Sequence, residues 1–264
     1  MSVSPLKFKS HRHSGFTLVE LAIVLMIIGL LIGGILRGQE LMNNARINTT
    51  IQQVKAYEGA VTTFNDAYQA LPGDMPTATA RLPGCGTGNT NFCVNGNGNS
   101  IVGTTATNNF NRNQLNNNVA ERETIMFWKH LSLAHLISGI TPNGNPASPE
   151  WGRTHPAAPL RGGFHALYLA TTSGQSIVGN GLYIRMQTPL TGTSAYNGTG
   201  GITNPLEAAS PKEAAQIDRK MDDGRPNLGS VMSDDGIGGA SGCEGNAYDP
   251  RVLVNLCVMY FKIF

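Results

Sequence analysis

From Phe16 to Leu36 the chain carries a single charged side chain, Glu20, in 21 residues that are otherwise uncharged and almost wholly apolar. At roughly 1.5 Å per residue such a run spans about 30 Å as a helix, the thickness of a bilayer's hydrocarbon core. That length and composition predict a transmembrane helix. Lys7, Lys9 and Arg12 precede it, with His11 and His13 beside them. Basic flanks tend to stay inside, which places the amino-terminal end in the cytoplasm and the rest of the chain outside it.

Glu20 is out of place in such a helix. A carboxylate there costs about 2.5–3.5 kcal/mol even on lenient insertion scales, so it calls for a partner or a path to water. An ordinary secretory signal would place small residues at a cleavage site after the apolar run. Arg37-Gly38-Gln39-Glu40-Leu41-Met42 follows instead.

The order of parts is a basic leader, Gly15, Phe16, Glu20 one helical turn later, and the apolar run. From Lys7 to about Leu36 this resembles the class III signal of type IV prepilins and type II secretion pseudopilins. The resemblance implies that a prepilin peptidase cuts after Gly15 and methylates the new amino terminus on Phe16. It also implies that Glu20 serves assembly, pairing with the amino terminus of an adjacent subunit. A helix out of register would leave both charges buried and unpaired, so the pair would set register, the best-attested use of a buried ion pair.

The helical pattern continues past Leu36. Ile51, Val54, Tyr57, Val61, Phe64, Tyr68 and Leu71 recur at steps of three and four, one face of an amphipathic helix. No proline interrupts Phe16 to Ala70, and the first break is Leu71-Pro72-Gly73-Asp74. About a third of that length fits in a bilayer, so the remainder is expected to pack a globular domain with its apolar stripe. Pilins share this layout, which implies an α+β fold: a long amino-terminal helix packed on a carboxy-terminal antiparallel-sheet domain with long loops. The expected organisation is a leader at 1–15, a long helix at 16–70 with 16–36 in the membrane, and an extracytoplasmic domain at 71–264. Gly29, Gly33, Gly34 and Gly38 give overlapping G-x-x-x-G spacings, which either permit close helix approach or reflect the usual glycine content of membrane spans. Many major pilins carry a proline inside the membrane helix. Its lack here leans toward a pseudopilin or minor subunit.

Composition narrows the partners. Beyond residue 15 the chain has 16 Lys and Arg against 17 Asp and Glu, a balance that argues against nucleic acid as the main partner. With 32 Gly and 14 Pro in 264 residues the domain should be rich in loops. From Asn89 to Asn118, twelve of thirty residues are asparagine, too polar to build a core and therefore expected to form a surface loop.

Cys85, Cys93, Cys243 and Cys257 form two local pairs in sequence. Outside the cytoplasm disulfides are permitted, and of three connectivities the local one is expected. A zinc site finds no C-x-x-C spacing and no nearby histidine pair.

Several further elements are legible. Asn118 and Glu121 fit a capping box for a helix to about Ile137, with Trp128 as a core anchor and His130 and His135 as ordinary histidines. Phe164–Thr171 and Gly181–Gln187 read as strands, and so does the alternating run Arg251–Phe264. Ser210-Pro211-Lys212-Glu213 packages an N-cap, a first-turn proline and a capping-box glutamate for a helix ending at Asp223-Gly224.

Two motifs also resemble segments of prepilin-type proteins: Tyr68 to Asp74, and Ile217 to Gly229 with its Asp222-Asp223-Gly224. Asp234-Asp235-Gly236 repeats the acidic pattern. Some pseudopilins bind calcium in a carboxy-terminal loop, so Asp222, Asp223, Asp234 and Asp235 are candidate ligands. Aspartates that start tight turns account for the same residues. No other cofactor is expected.

No nucleophile elbow, zincin, P-loop or dinucleotide fingerprint is present, and the chain reads as a non-enzyme. The resemblance implies a structural subunit of a type II secretion pseudopilus or type IV pilus-like filament. Its partners would be prepilin peptidase, other pilin or pseudopilin subunits in a homo- or hetero-oligomer, and an inner-membrane assembly platform. It would be a single-pass protein of the bacterial inner membrane, with its carboxy-terminal domain in the periplasm or an extracellular filament. The alternative is a single-span membrane-anchored extracytoplasmic binding protein.

Overall fold

The first helix, α1, runs unbroken from Leu18 to Tyr68. Nothing in that stretch breaks a helix, and Leu71-Pro72-Gly73 stops it. The computed structural model describes residues 17–86, 93–103, 119–141, 150–169, 179–188, 208–235, 242–243, 245–252 and 257–264. By packing, the chain divides into two units, Met1–Asn44 and Ala45–Phe264, with the division falling inside α1.

In the first unit the large apolar residues from Leu18 to Leu36 are all exposed. A helix that is apolar on every side has no preferred face to bury. In the second unit α1 is striped. Ile47, Ile51, Val54, Tyr57, Val61 and Phe64 are buried, and the turns between them are polar.

After α1 come the single turn α2 (Ala78–Arg81), α3 (Val119–Leu133), β1 (Gly163–Leu169), β2 (Gly181–Gln187), α4 (Pro211–Met221), β3 (Val231–Asp234) and β4 (Val258–Lys262). The strands form one antiparallel sheet in the order β1-β2-β4-β3. The fold is thus α+β and pilin-like: a long amino-terminal helix and a carboxy-terminal antiparallel sheet.

Alternation sorts the sheet's side chains into two faces. Phe164, Ala166, Leu182, Ile184, Met186, Met259 and Phe261 join the main core with α1 and α3. Leu167, Leu169, Tyr183, Met232, Val258 and Tyr260 form a second buried cluster on the opposite face. Tyr57 ties three elements together, its ring edge-on to Trp128 of α3 at 4.9 Å and to Phe164 of β1 at 5.6 Å. Trp128 is fully buried, as its size and position on α3 predict.

At α4, Ser210 and Glu213 form the reciprocal capping box that their spacing predicts, with Pro211 in the first turn. Glu213 also pairs with Arg161. The box expected of Asn118 and Glu121 lies outside the described side chains. Strand β3 has no counterpart in the sequence reading, since four residues are too few to show a period. The last strand is shorter than Arg251–Phe264, and 253–256 lie outside the described residues.

The turn after α1 organises the segment that follows the first disulfide. Gly73 has a φ of +87°, and a Cβ there would run into the Glu123 carbonyl oxygen of α3. Its N–H donates to His130 Nδ1 at 2.9 Å, while His130 Nε2 meets the Val94 carbonyl at 3.2 Å, so the ring bridges two loops as a neutral imidazole. Burial pushes that histidine down to about 4.

Asp74 accepts the N–H groups of Gly98, Asn99 and Ser100, and Glu123 accepts those of Asn97 and Gly103. Residues 93–103 belong to the Asn-rich tract expected to be a solvated surface loop. Here they do form an irregular loop with Asn95 and 97–100 exposed, and it is also tied down from beneath: two buried carboxyls need donors, and a Gly/Asn backbone can turn tightly enough to deliver five. The rest of the tract lies outside the described residues.

Two predictions follow from this turn. Gly73→Ala should destabilise the folded chain by more than about 1 kcal/mol, because alanine meets both a positive φ and a backbone oxygen; thermal unfolding measures it. Burial lifts Glu123 to about 7 despite the Gly103 and Asn97 N–H groups, with the nearby Asp74 carboxyl adding to the rise. The folded state therefore keeps this proton to higher pH than the unfolded chain, so its stabilisation is complete below about 4.5 and lost as pH rises through about 7. Denaturant unfolding across that window should show wild-type stability falling relative to Glu123→Gln; parallel pH profiles would refute the assignment.

Candidate functional site

The amino-terminal end of α1 is where the sequence concentrates functional residues. Thr17 precedes the helix and caps it. Its N–H and its hydroxyl each donate to Glu20 Oε2 at 2.9 Å, and the Glu20 N–H donates back to the Thr17 hydroxyl at 3.3 Å. This is a reciprocal capping box, in which one carboxylate satisfies donors that a helix start leaves open. The helix dipole favours a negative charge at the same position. Thr17 is the residue the sequence reading passed over, although its three-residue spacing from Glu20 is the signature of such a box. Gly15 and Phe16 lie outside the described residues.

Beyond Glu20 the next charges are Arg37 and Glu40, paired at 3.0 Å and well exposed. They mark the end of the uncharged run. A Cβ added to Gly29, Gly33, Gly34 or Gly38 would meet nothing within 4 Å. The small-residue positions are thus unused by contacts in this chain. Among the described residues α1 is the one helix long and apolar enough to cross a membrane, with a mean hydropathy of 2.7 in its apolar window.

The second unit holds the remaining candidates. Cys85 is bonded to Cys93 and Cys243 to Cys257, with Cα separations of 5.1 and 5.5 Å. His130 lies close to the first pair, but both sulfurs are spent in the disulfide.

The candidate calcium residues do not come together as the set of four. Asp222 and Asp223 group with Asp218 of α4, not with Asp234 and Asp235. Asp222 Oδ2 accepts the Ser230 N–H and, at 3.1 Å, the Val231 N–H. Asp223 accepts the Arg225 N–H at 2.8 Å. Asp234 accepts the Tyr260 hydroxyl at 3.0 Å, and Asp235 the Cys243 N–H at 2.6 Å and the Gly242 N–H at 3.1 Å. Turn and loop N–H groups occupy Asp222, Asp223 and Asp235, and a cross-strand hydroxyl occupies Asp234.

Asp218 is buried, accepting the Tyr248 hydroxyl and the Gly224 N–H at 2.9 and 3.1 Å. Burial lifts it to about 6 despite these bonds, and Asp223 and Asp222 add to the rise. Sequence spacing had not singled out Asp218 as a hub; only its burial under Tyr248 makes it one.

Residues 10–36 match the family model of the prokaryotic N-terminal methylation motif. No curated protein and no solved structure matches the chain. The matched segment contains Gly15, Phe16, Thr17, Glu20 and the apolar run up to Leu36. The chain therefore carries a prokaryotic N-terminal methylation motif that runs into α1, the one helix among the described residues long and apolar enough to cross a membrane.

Proposed function

We propose that this chain is a structural subunit of a type II secretion pseudopilus or a type IV pilus-like filament. The observation that carries the reading is the methylation motif over residues 10–36, continued by an apolar helix whose side chains are open all round. Prepilin peptidase would remove residues 1–15 and methylate Phe16. Residues 16–36 would then anchor the subunit in the inner membrane and later pack in the filament's central bundle. The domain from residue 71 would face the periplasm or the filament exterior, with the orientation set by Lys7, Lys9 and Arg12.

Glu20 takes two roles in this reading. In the precursor Thr17 holds its carboxylate. After cleavage it would pair with the Phe16 ammonium of an adjacent subunit while the helices slide into register. The function is structural rather than catalytic, with Asp222, Asp223 and Asp235 holding loop N–H groups and Asp234 the Tyr260 hydroxyl. The unbroken, proline-free span from Leu18 leans the assignment toward a pseudopilin or minor subunit. A plain single-span anchor carrying a binding domain is the alternative, and it predicts an intact leader.

Intact mass and amino-terminal sequencing of protein from native membranes should find a chain starting at singly methylated Phe16, and Gly15→Ala should abolish that product. A chain starting at Met1 would establish the plain anchor. Glu20→Ala should still insert and be cleaved, yet its incorporation into sheared filaments should fall at least tenfold; incorporation at the wild-type level would remove the pairing role.

A further inference from the structure

The second face of the sheet carries a group of polar side chains that nothing described so far employs. Arg185 lies on β2 between His165 of β1 and Tyr260 of β4, directly opposite both by register. It is only 4% exposed, and its Nε has no hydrogen-bond partner. Guanidinium stays charged in any protein environment. The salt bridges among the described residues use Arg37, Arg153, Arg161 and Arg251, not Arg185.

Two residues along the same strand face, Gln187 is fully buried, with neither its Oε1 nor its Nε2 partnered. Opposite Gln187 stands Gly163, and the ring of Trp151 occupies the space a Cβ there would need. That packing lays the 151–155 segment over the sheet. The His155 ring then stacks on His165 at 5.8 Å, beside Arg185.

The proton on His155 can be placed from its neighbours. The Thr154 hydroxyl accepts the Glu150 N–H at 2.8 Å and so keeps its own hydrogen to give. Its nearer acceptor is His155 Nδ1 at 3.1 Å, against 3.4 Å for the Glu150 carbonyl. In the tautomer whose Nδ1 takes that hydrogen, Nε2 is protonated, and it too is buried without a partner. Burial holds both histidines neutral, with the Arg185 charge adding to the effect on His165. Arg185 is thus the charge among these four side chains, and the same face also holds the buried Asp234 carboxyl, which accepts the Tyr260 hydroxyl.

Buried polar groups in native proteins are normally satisfied, and a cluster of exceptions signals an ion or water that completes it. Here Arg185 Nε–H, the Gln187 amide and His155 Nε2 are all unpartnered on or against one sheet face, and none of the salt bridges among the described residues uses Arg185. We propose that this face binds a small oxyanion, held by Arg185 and hydrogen-bonded by Gln187 and His155. Gln187 Oε1 needs a donor in addition, which hydrogen phosphate supplies through its hydroxyl and sulfate lacks. The site is separate from the membrane segment and independent of which filament the chain joins.

Thermal unfolding of the full chain in detergent, titrated with inorganic phosphate at constant ionic strength, tests the proposal. Phosphate should raise Tm saturably, sulfate less, and chloride not at all. Arg185→Met should abolish the phosphate dependence, and Gln187→Leu should shift its midpoint at least tenfold upward. A wild-type Tm that responds to phosphate no more than to chloride overturns the site, and this result stands even where Arg185→Met fails to fold. Retained phosphate dependence in a folded Arg185→Met, or an Arg185→Met chain more stable than wild type at every phosphate concentration, overturns it equally.

Discussion

Between Leu18 and Leu36, α1 presents large apolar side chains in every direction, and the protein's own residues leave them uncovered. The hydrophobic effect does not tolerate that in water, so lipid tails or other apolar helices must supply the cover. Past Ala45 the same helix changes its surface from a sleeve to a stripe. Tyr57, Val61 and Phe64 insert between α3 and the sheet, where Trp128 and Phe164 meet Tyr57 edge-on. One backbone thus serves two environments. The switch is made entirely by the spacing of apolar side chains, without a kink residue.

The charge at Glu20 fits this division of labour. A carboxylate inside the apolar sleeve is costly both for its charge and for any unmet hydrogen-bonding capacity. Thr17 meets it locally through two donors to Oε2, and the helix start gains its cap in the same exchange.

In the second unit, buried carboxyls set the course of the loops. Asp74, Glu123, Asp218 and Asp235 each collect backbone N–H groups from segments without regular structure. Such segments cannot satisfy their own donors through ladders, so side-chain acceptors take that part. The two disulfides close short loops in the same regions. Arg185, Gln187 and His155 break the pattern by leaving buried polar atoms unmet.

Much of this was legible in the amino acids because it is local. The apolar run, the Gly15-Phe16 junction with Glu20 one turn on, the stripe from Ile51 to Phe64, the capping box at Ser210 and the strand at Gly181–Gln187 all declare themselves through spacing along one segment. The Cys85–Cys93 and Cys243–Cys257 bridges follow the short separations favoured by loop closure. What the tertiary structure decided depends on which segments meet. Strand β3 is too short to show a period. Its place at the sheet edge beyond β4 follows from pairing, not from its own residues. Residues 93–103 are the surface loop their composition suggests, but that Asp74 and Glu123, 49 positions apart in the chain, hold it from beneath is not written in them. His155 stacks on His165, the β1 neighbour of Arg185, where Gly163 leaves room for Trp151. Contacts of that kind are set by the packing of distant side chains, which no periodicity along the chain encodes.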